Sequence, residues 1–187
     1  MNADTPNTRA RLIKSAARLF RTKGYHGTGL TELLADSHAP KGSLYHHFPK
    51  GKSDLALATA TWVSNGMLQV IDDAFLKAQS FEEGATNFCY KLAKLFDLGG
   101  EYQSCPITGI LFDDPDNTEF RQKADAILSA WQDRVTAHGE ALGLPADTAH
   151  AQAALLVMTF QGGWTLARAR RDSNVIRQIP GYLYKAD

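Results

Sequence analysis

The sequence predicts an all-α protein. Apolar residues recur at intervals of three and four along most of the chain, alternating strand patterns of any length are absent, and Gly or Pro separates the periodic segments. With 44% hydrophobic and 21% charged residues in a chain of 187, the composition fits a folded protein and excludes a disordered tail protein. The longest mainly apolar run, 153–160, is too short for a membrane-spanning helix, which takes roughly 20 residues.

Residues 1–55 predict three short helices in succession. Thr5-Pro6 supplies a cap and a first-turn proline for the first helix, which Gly24 ends. Thr28 is placed to cap the second helix, and Pro40 begins the third. Two short helices joined by a tight turn form a helix-turn-helix, in which the later helix enters the major groove of DNA.

The rest of the chain predicts six further helices, separated by turns rich in Gly, Pro or Asp. Their approximate ranges are 55–78, 81–98, 106–112, 118–142, 146–171 and 174–184. The segment 146–171 stands out because it is apolar on nearly every side in its middle. The expected total is therefore about nine helices.

Charge is divided unevenly along this neutral chain. Residues 1–55 hold nine Lys and Arg against four Asp and Glu, whereas the remainder holds eleven against sixteen. A basic end on an acidic body suggests a polyanion partner that binds at one end. Chance clustering of charge on a solvated helix explains the same numbers equally well.

The third predicted helix carries the side chains expected to contact DNA. Glycine permits close approach to the duplex, while Lys and Ser reach phosphates or base edges. Thr28 and Lys52 stand at the starts of other helices, where phosphates bind. The predicted DNA contacts are Thr28, Lys41, Gly42, Ser43, Tyr45, His46, His47 and Lys52.

These residues resemble the DNA-binding domain of TetR-family regulators. The matching positions include Gly24-Tyr25, Thr28, the segment 41–48 (KGSLYHHF) and Lys52. The segments 39–49 and 105–107 are similar to a branch that contains regulators of multidrug-efflux genes, some of them responsive to flavonoids or lincomycin-like drugs. The resemblance implies a helix-turn-helix domain over 1–55 and a helical effector-binding and dimerisation domain over 56–187.

The resemblance also implies a mode of action. Members of the family are homodimers, usually repressors, that bind near-palindromic operators and are released by a small hydrophobic or aromatic effector. Two positions depart from the family pattern, because His38 replaces the usual turn glycine and Lys50 replaces a common small residue. We expect His38 to adopt a positive φ, and Lys50 to add charge beside the phosphates.

The resemblance implies that the last two long helices of each subunit form a four-helix dimer interface. The helix over 146–171 agrees with this, because it presents apolar and small residues on more than one side. The alternative is that it forms the central core helix of a monomer. The predicted dimer contacts are Leu155, Thr159, Gly162, Gly163 and Leu166.

An effector cavity is expected among the aromatic residues of the body, with Gln132, Thr159 and Gln161 as its polar groups. Plain core packing is the better explanation for any single aromatic residue, so the expectation rests on the set and on the resemblance. The predicted lining is Trp62, Phe88, Phe96, Cys105, Phe112, Trp131, Phe160 and Trp164.

Other classes of function have weaker support. No G-x-S-x-G, H-E-x-x-H, G-x-G-x-x-G or P-loop occurs, so an enzyme is less favoured, and a helical partner-binding scaffold without DNA specificity is the other alternative. No metal or cofactor is expected, since the adjacent His46 and His47 diverge by about 100° on a helix. Cys89 and Cys105 form no disulfide framework, which favours a cytoplasmic location. For Cys105, a place in the pocket wall or at a helix start is favoured over oxidant sensing.

Overall fold

The computed structural model describes residues 7–99, 107–114 and 116–184, and within these ranges it contains helices and no strand. The all-α prediction is therefore confirmed. The helices are α1 Thr8–Lys23, α2 Leu30–Ser37, α3 Lys41–His47, α4 Lys52–Phe75, α5 Phe81–Gly99, α6 Thr108–Leu111, α7 Thr118–Ala141, α8 Ala146–Arg170, α9 Asn174–Arg177 and α10 Ile179–Leu183. None of these described helices has a stretch long and apolar enough to cross a lipid bilayer.

The described residues form two compact units. The first unit draws on segments 1–64 and 106–125, and the second on segments 65–105 and 126–187. The first unit is therefore discontinuous in sequence, because α6 and the start of α7 join α1, α2 and α3. This structural division differs from the functional boundary that we predict at residue 55, which stays a prediction.

Most helix boundaries agree with the sequence periodicity to within a few residues. The largest shift is in α4, which begins and ends three residues earlier than predicted, at Lys52 and Phe75. The predicted last helix, 174–184, is divided into α9 and α10. Pro180 stands in the first turn of α10, and its missing N–H prevents the helical hydrogen bonds from continuing through that point.

The start of α1 is capped by a residue that the sequence analysis did not choose. The side-chain oxygen of Asn7 accepts a hydrogen bond from the backbone N–H of Arg9 at 3.0 Å. Thr5 and Pro6, which we predicted in this role, lie outside the described residues. The predicted end is confirmed, since Gly24 follows α1 with φ 75° and donates its N–H to the carbonyl of Phe20 at 2.9 Å.

Each unit has its own apolar core. In the first unit, α1 packs on α2, α3 and α6, and Leu12, Phe20, Leu33 and Leu44 are fully buried. In the second unit, α5 and α8 both pack on α9 and α10. Its largest buried side chains are aromatic or branched, and they include Phe88, Leu92, Trp131, Leu156 and Phe160.

Candidate DNA-binding site

The turn between α2 and α3 is held in shape by Arg11 of α1. His38 ends α2 in the left-handed region with φ 49° and ψ 40°, as predicted for this position. The guanidinium of Arg11 donates to the carbonyls of Ser37 and His38 at 3.1 and 3.2 Å. These are end-of-helix carbonyls that have no partner inside α2. A long cation from a neighbouring helix thus supports a turn that usually depends on glycine.

Helix α3 has a buried face and an exposed face. Leu44 is fully buried and Phe48 nearly so, which anchors the helix on the core of the first unit. The exposed side carries Lys41, Gly42, Tyr45 and His46, with Ser43 and His47 half-buried at its edges. Six of the eight predicted DNA contacts therefore share this short helix. A Cβ placed on Gly42 would meet no atom within 4 Å, so the surface above it is open.

The residues after α3 support Tyr45. Gly51 has φ 67°, and a Cβ placed there would lie 3.2 Å from Cε1 of Tyr45. The ring of Tyr45 therefore packs over the turn that leads into α4, although 44% of the residue remains exposed. The left-handed backbone conformation of Gly51 favours glycine, and a Cβ there would also press on the ring of Tyr45.

Thr28 does not have the role that we predicted. The N-cap of α2 is Gly29, which makes no side-chain cap bond, so the prediction that Thr28 caps this helix was wrong. Thr28 stands one residue too early and is fully buried, with its hydroxyl donating to the carbonyl of Gly24 at 2.8 Å. A side chain in this position stabilises the turn and offers no surface to a phosphate.

Lys52 ties the start of α4 to the turn before α2. Its Nζ donates to the carbonyls of Tyr25 and Thr28, each at 3.0 Å, and lies 4.4 Å from the centre of the Tyr25 ring. Burial lowers the pKa of Lys52, an effect that the charge of Asp113 opposes. At least two of its three N–H donors thus serve the fold. The sequence did contain a signal for this structural role of Lys52, because a cation at a helix N-terminus is unfavourable unless local partners bind it.

The same turn is held from its other side by residues that follow α6. The backbone N–H of His26 donates to Oδ2 of Asp113 at 2.7 Å, and the ring of Tyr25 meets Phe120 edge-on at 5.0 Å. Burial, with the charge of Asp114, raises the pKa of Tyr25. The turn 24–28 is therefore fixed between α4 and the segment 113–120, which the sequence analysis did not foresee.

Basic side chains of the first unit differ in what they contact. Arg18 and Lys23 pair with carboxylates of α2, and Lys50 lies 3.5 Å from Glu119. Within the described residues no ion pair involves Lys41, whose side chain is exposed at the start of α3. Arg9 is also exposed, and its guanidinium lies 5.5 Å from the centre of the Phe48 ring. Arg9 is thus a basic neighbour of α3 that sequence reasoning missed.

No metal centre accompanies these groups in the part of the chain that the structure describes. His46 and His47 meet edge-on with ring centres 5.0 Å apart, and no group of three His, Cys, Asp or Glu residues is arranged to hold an ion there. Cys89 is fully buried, and burial raises the pKa of its thiol to about 12. A thiol of this kind is unreactive near neutral pH.

Five of the eight predicted effector residues make ring contacts with one another, in two groups. In the second unit, Phe88 meets Phe160 edge-on at 5.3 Å, Phe96 meets Trp164 at 5.3 Å, and Trp131 lies 6.1 Å from Phe160. We call these five residues the aromatic cluster. The predicted polar residues Gln132 and Thr159 bond elsewhere, to His150 and to the carbonyl of Leu155.

The other three predicted effector residues are not in the aromatic cluster. Trp62 and Phe112 belong to the first unit and are about half exposed, at 48% and 50%. Cys105 lies outside the described residues.

The predicted dimer contacts divide between two sides of α8. Leu155, Gly162 and Leu166 are exposed, together with Met158, and Thr159 is half-buried beside them. We call Leu155, Met158, Gly162 and Leu166 the α8 strip, since their spacing places them along one helix face. Gly163 lies on the inner side, where a Cβ would come within 2.7 Å of Ile179 of the same chain. Gly163 is therefore unavailable to a partner.

Two family models match the chain over most of its length. Residues 12–59 match "Bacterial regulatory proteins, tetR family", and residues 82–181 match "Transcriptional regulator LmrA/YxaF-like, C-terminal domain". The chain belongs to the TetR family. As a TetR-family protein it is a helix-turn-helix, DNA-binding transcriptional regulator and not an enzyme.

Individual relatives agree with this TetR-family assignment. The HTH-type transcriptional regulator YxaF of Bacillus subtilis (strain 168) is 27% identical over 180 residues, which cover 93% of this chain and 94% of YxaF. A TetR regulator from Legionella pneumophila has a TM-score of 0.80 at 20% identity, with 99% and 100% of the two chains covered. A cysteine mutant of the TetR-family regulator CifR, complexed with 26-base-pair operator DNA, has a TM-score of 0.78 at 19% identity, with 97% of each chain covered. The two structural likenesses establish the fold.

Proposed function

We propose that this TetR-family regulator is a homodimeric repressor that binds a near-palindromic operator and releases it when a small hydrophobic or aromatic effector binds. The main support for the proposal is that α3 has one buried face and one exposed face. Leu44 and Phe48 fasten the helix to its unit, while Lys41, Gly42 and Tyr45 face outward on an open surface. Because its partner is chromosomal DNA, we place the protein in the cytoplasm.

The exposed side of α3 has side chains suited to both kinds of DNA contact, those with phosphates and those with base edges. Phosphate contacts give affinity without sequence preference, and contacts with base edges give specificity. Lys41 is exposed and can contact a phosphate or a guanine, and the ring of Tyr45 packs over the Gly51 turn at the edge of the same face. The proposed DNA-binding domain spans 1–55, and the remaining helices bind the effector and the second subunit.

The α8 strip supports the homodimer. Met158 is 65% exposed, and Leu155 and Leu166 are each nearly half exposed, on a helix whose opposite side buries Leu156 and Phe160. A run of exposed apolar side chains along one helix is typical of an interface. A two-fold pair of α8 helices gives two copies of α3, which read half-sites one DNA turn apart, about 34–36 Å.

The aromatic cluster supports the effector role. A planar apolar molecule is a suitable ligand for a site formed by Phe88, Phe96, Trp131, Phe160 and Trp164. An effector changes operator affinity by the difference in its own affinity for the two states of the protein. A coupling free energy of about 2–3 kcal/mol is sufficient for derepression.

The test begins with selection of bound duplexes from a pool of random sequence, followed by gel shifts of the enriched site at two salt concentrations. The proposal expects an inverted repeat, and a log–log salt slope of about −0.9 for each neutralised phosphate. Lys41→Ala is expected to reduce affinity about tenfold and to flatten the slope by about one contact. Lys91→Ala, an exposed lysine of the second unit, is the matched control and should change neither value. Selection of no common sequence would contradict the proposal.

A further inference from the structure

The last turn of α2 ends in a motif that leaves the carbonyls of Ser37 and His38 without a role. The N–H of His38 donates to the carbonyl of Ala35 at 3.2 Å, and the N–H of Ala39 donates to that of Leu34 at 3.1 Å. These are the two bonds of a Schellman motif, in which the residue after the helix is left-handed. The carbonyls of Ser37 and His38 take no part in it, so their partners come from outside α2.

Helix α1 supplies both donors from one guanidinium. Arg11 donates to the carbonyl of Ser37 through Nε at 3.1 Å and to the carbonyl of His38 through Nη2 at 3.2 Å. Because the two bonds come from different nitrogens of one planar group, they fix the direction of the turn as well as its distance from α1. The hydroxyl of Thr8, one turn earlier on α1, accepts a further bond from Nη2 at 3.4 Å and restrains the guanidinium.

Two more side chains of α1 bind the carboxylate of Asp36 on the same turn. The hydroxyl of Ser15 donates to one carboxylate oxygen, and the guanidinium of Arg18 donates to the other. Positions 11, 15 and 18 recur at helical spacing, so the three side chains lie along one face of α1. We call Arg11, Ser15 and Arg18 the α1 clamp. A carboxylate near the carboxyl end of a helix is unfavourable, and the two guanidinium groups of the clamp oppose that charge.

The turn that the α1 clamp holds leads directly into α3. Only Ala39 and Pro40 separate His38 from Lys41, the first residue of α3. Ala39 is buried and the ring of Pro40 fixes its φ, so little freedom remains between the turn and the helix. Leu44 anchors the middle of α3 by its burial, which leaves the first turn of α3 dependent on this connection.

We propose that the α1 clamp positions the first turn of α3 for the operator, with Arg11 as its principal residue. A left-handed residue other than glycine is under backbone strain, and the two carbonyl bonds of Arg11 keep His38 in that conformation. Arg11 is thus a positioning residue, whose donors are used within the first unit. This inference rests on the proposed operator-binding role of α3 and adds a residue that governs specificity from another helix.

A positioning residue differs from a phosphate contact in its effect on DNA binding. Without Arg11 the turn spends part of its time in other conformations, and the apparent operator affinity falls in proportion to the fraction that stays competent. Affinity for a duplex of unrelated sequence depends on charge and does not require α3 to fit base edges. Loss of Arg11 should therefore lower specific binding and spare nonspecific binding.

The experiment is a double-mutant cycle on Arg11 and His38 in the full-length protein. Arg11→Met keeps most of the side-chain length and removes the donors, and His38→Gly removes the need for them, since glycine adopts the left-handed region freely. Gel shifts measure dissociation constants for the selected operator and for a duplex of the same composition in scrambled order. Arg177→Met is the matched control, because Arg177 also bonds a carboxylate of its own unit, that of Asp97, but in the second unit.

We expect Arg11→Met to weaken operator binding at least about tenfold, since two hydrogen bonds from a charged group are lost. Its affinity for the scrambled duplex should stay within about twofold of wild type, with an unchanged slope of log affinity against log salt concentration. In the His38→Gly background the same change should weaken operator binding only about twofold to threefold, because the two positions are coupled. His38→Gly alone and Arg177→Met should each bind the operator as wild type does.

Three results would overturn the assignment. These are unchanged operator affinity in Arg11→Met, equal losses on the two duplexes or a flatter salt slope, and a full tenfold loss that persists in the His38→Gly background. If Arg11→Met lacks the helical circular dichroism of wild type, Arg11→Lys takes its place, with one donor kept and a loss of about threefold that is again confined to the operator. If wild type binds its operator while the cycle fails, the proposed function stands and the clamp falls. If wild type selects no operator, both fail.

Discussion

The two units of this regulator treat their polar groups differently. Around the turns of the first unit, Arg11, Lys52 and the N–H of His26 are each bonded to carbonyls or a carboxylate of the same unit. In the described part of the second unit, α8 leaves the side-chain N–H donors of Gln161 and Trp164 without hydrogen-bond partners and exposes a strip of apolar side chains. We infer that the first unit is made rigid so that α3 keeps one shape, whereas the second retains unused binding capacity for a ligand and another subunit.

The most severe test of this contrast is to place a charge on the α8 strip. Met158→Glu introduces a carboxylate where an apolar partner is expected, and burying it there is strongly unfavourable. We expect monomers at micromolar concentration in analytical ultracentrifugation. Operator affinity should fall by at least about 100-fold, because the two half-sites no longer bind together.

Leu76→Glu is the control for that experiment, since Leu76 is a leucine of the second unit that is 76% exposed and lies outside the α8 strip. It should remain dimeric and bind the operator as wild type does. A dimeric Met158→Glu variant with normal operator affinity would show that the strip is not the interface.

A smaller effect is expected from Lys52→Met, which keeps most of the side-chain length and removes the ammonium. The carbonyls of Tyr25 and Thr28 then lose a donor, and we expect the free energy of unfolding to fall by about 1–2 kcal/mol. If Lys52 only stabilises the fold, the variant's operator affinity falls, while the slope of log affinity against log salt concentration is unchanged. If it binds a phosphate, the slope flattens by about 0.9 and the stability is unaffected. The measurements are chemical denaturation and gel shifts at several salt concentrations.

The smallest expected effect concerns an ion-paired cluster of the second unit. Asp72 accepts hydrogen bonds from Arg134 and from Nε2 of His138, the latter at 2.8 Å. Burial opposes ionisation of Asp72, but its hydrogen bonds with Arg134 and His138 outweigh this effect and lower the pKa below the ordinary 3.8. A lowered aspartate pKa stabilises the fold above the unfolded pKa, and that contribution is lost as the pH falls through the folded value.

Asp72→Asn should therefore reduce the unfolding free energy at pH 7 by less than about 1 kcal/mol, because the partly exposed pair is screened by solvent. The difference from wild type should shrink as the pH falls below about 3.8. Thermal unfolding followed by circular dichroism between pH 7 and 3 measures this change. A constant difference across that range would mean that the carboxylate charge is not what stabilises the cluster.

Local backbone features could be predicted from the sequence because they depend on local chemistry. The positive φ of His38 and the end of α1 at Gly24 follow from residue type and position. The exposed face of α3 follows from helical periodicity once Leu44 and Phe48 are taken as buried.

Features that depend on distant parts of the chain could not be predicted in this way. Thr28 has the composition of a helix cap, but its burial is decided by how the turn 24–28 packs. The contact of Asp113 with His26 joins residues 87 positions apart. Trp62 and Phe112 have the same aromatic character as Phe88, and only the tertiary arrangement leaves them half exposed.

The hydrogen bond between Asp113 and the turn after α1 affects how DNA-binding segments can be exchanged between such regulators. A Cβ placed on Gly24 would lie 2.8 Å from Oδ2 of Asp113, so this carboxylate occupies the space of a side chain that Gly24 lacks. A hybrid that joins the first 55 or 64 residues to an unrelated body would discard that carboxylate, together with the Phe120 ring that meets Tyr25. Exchange of operator specificity between family members is therefore expected to succeed when residues 107–125 are transferred together with the amino-terminal segment, because both segments belong to the same unit.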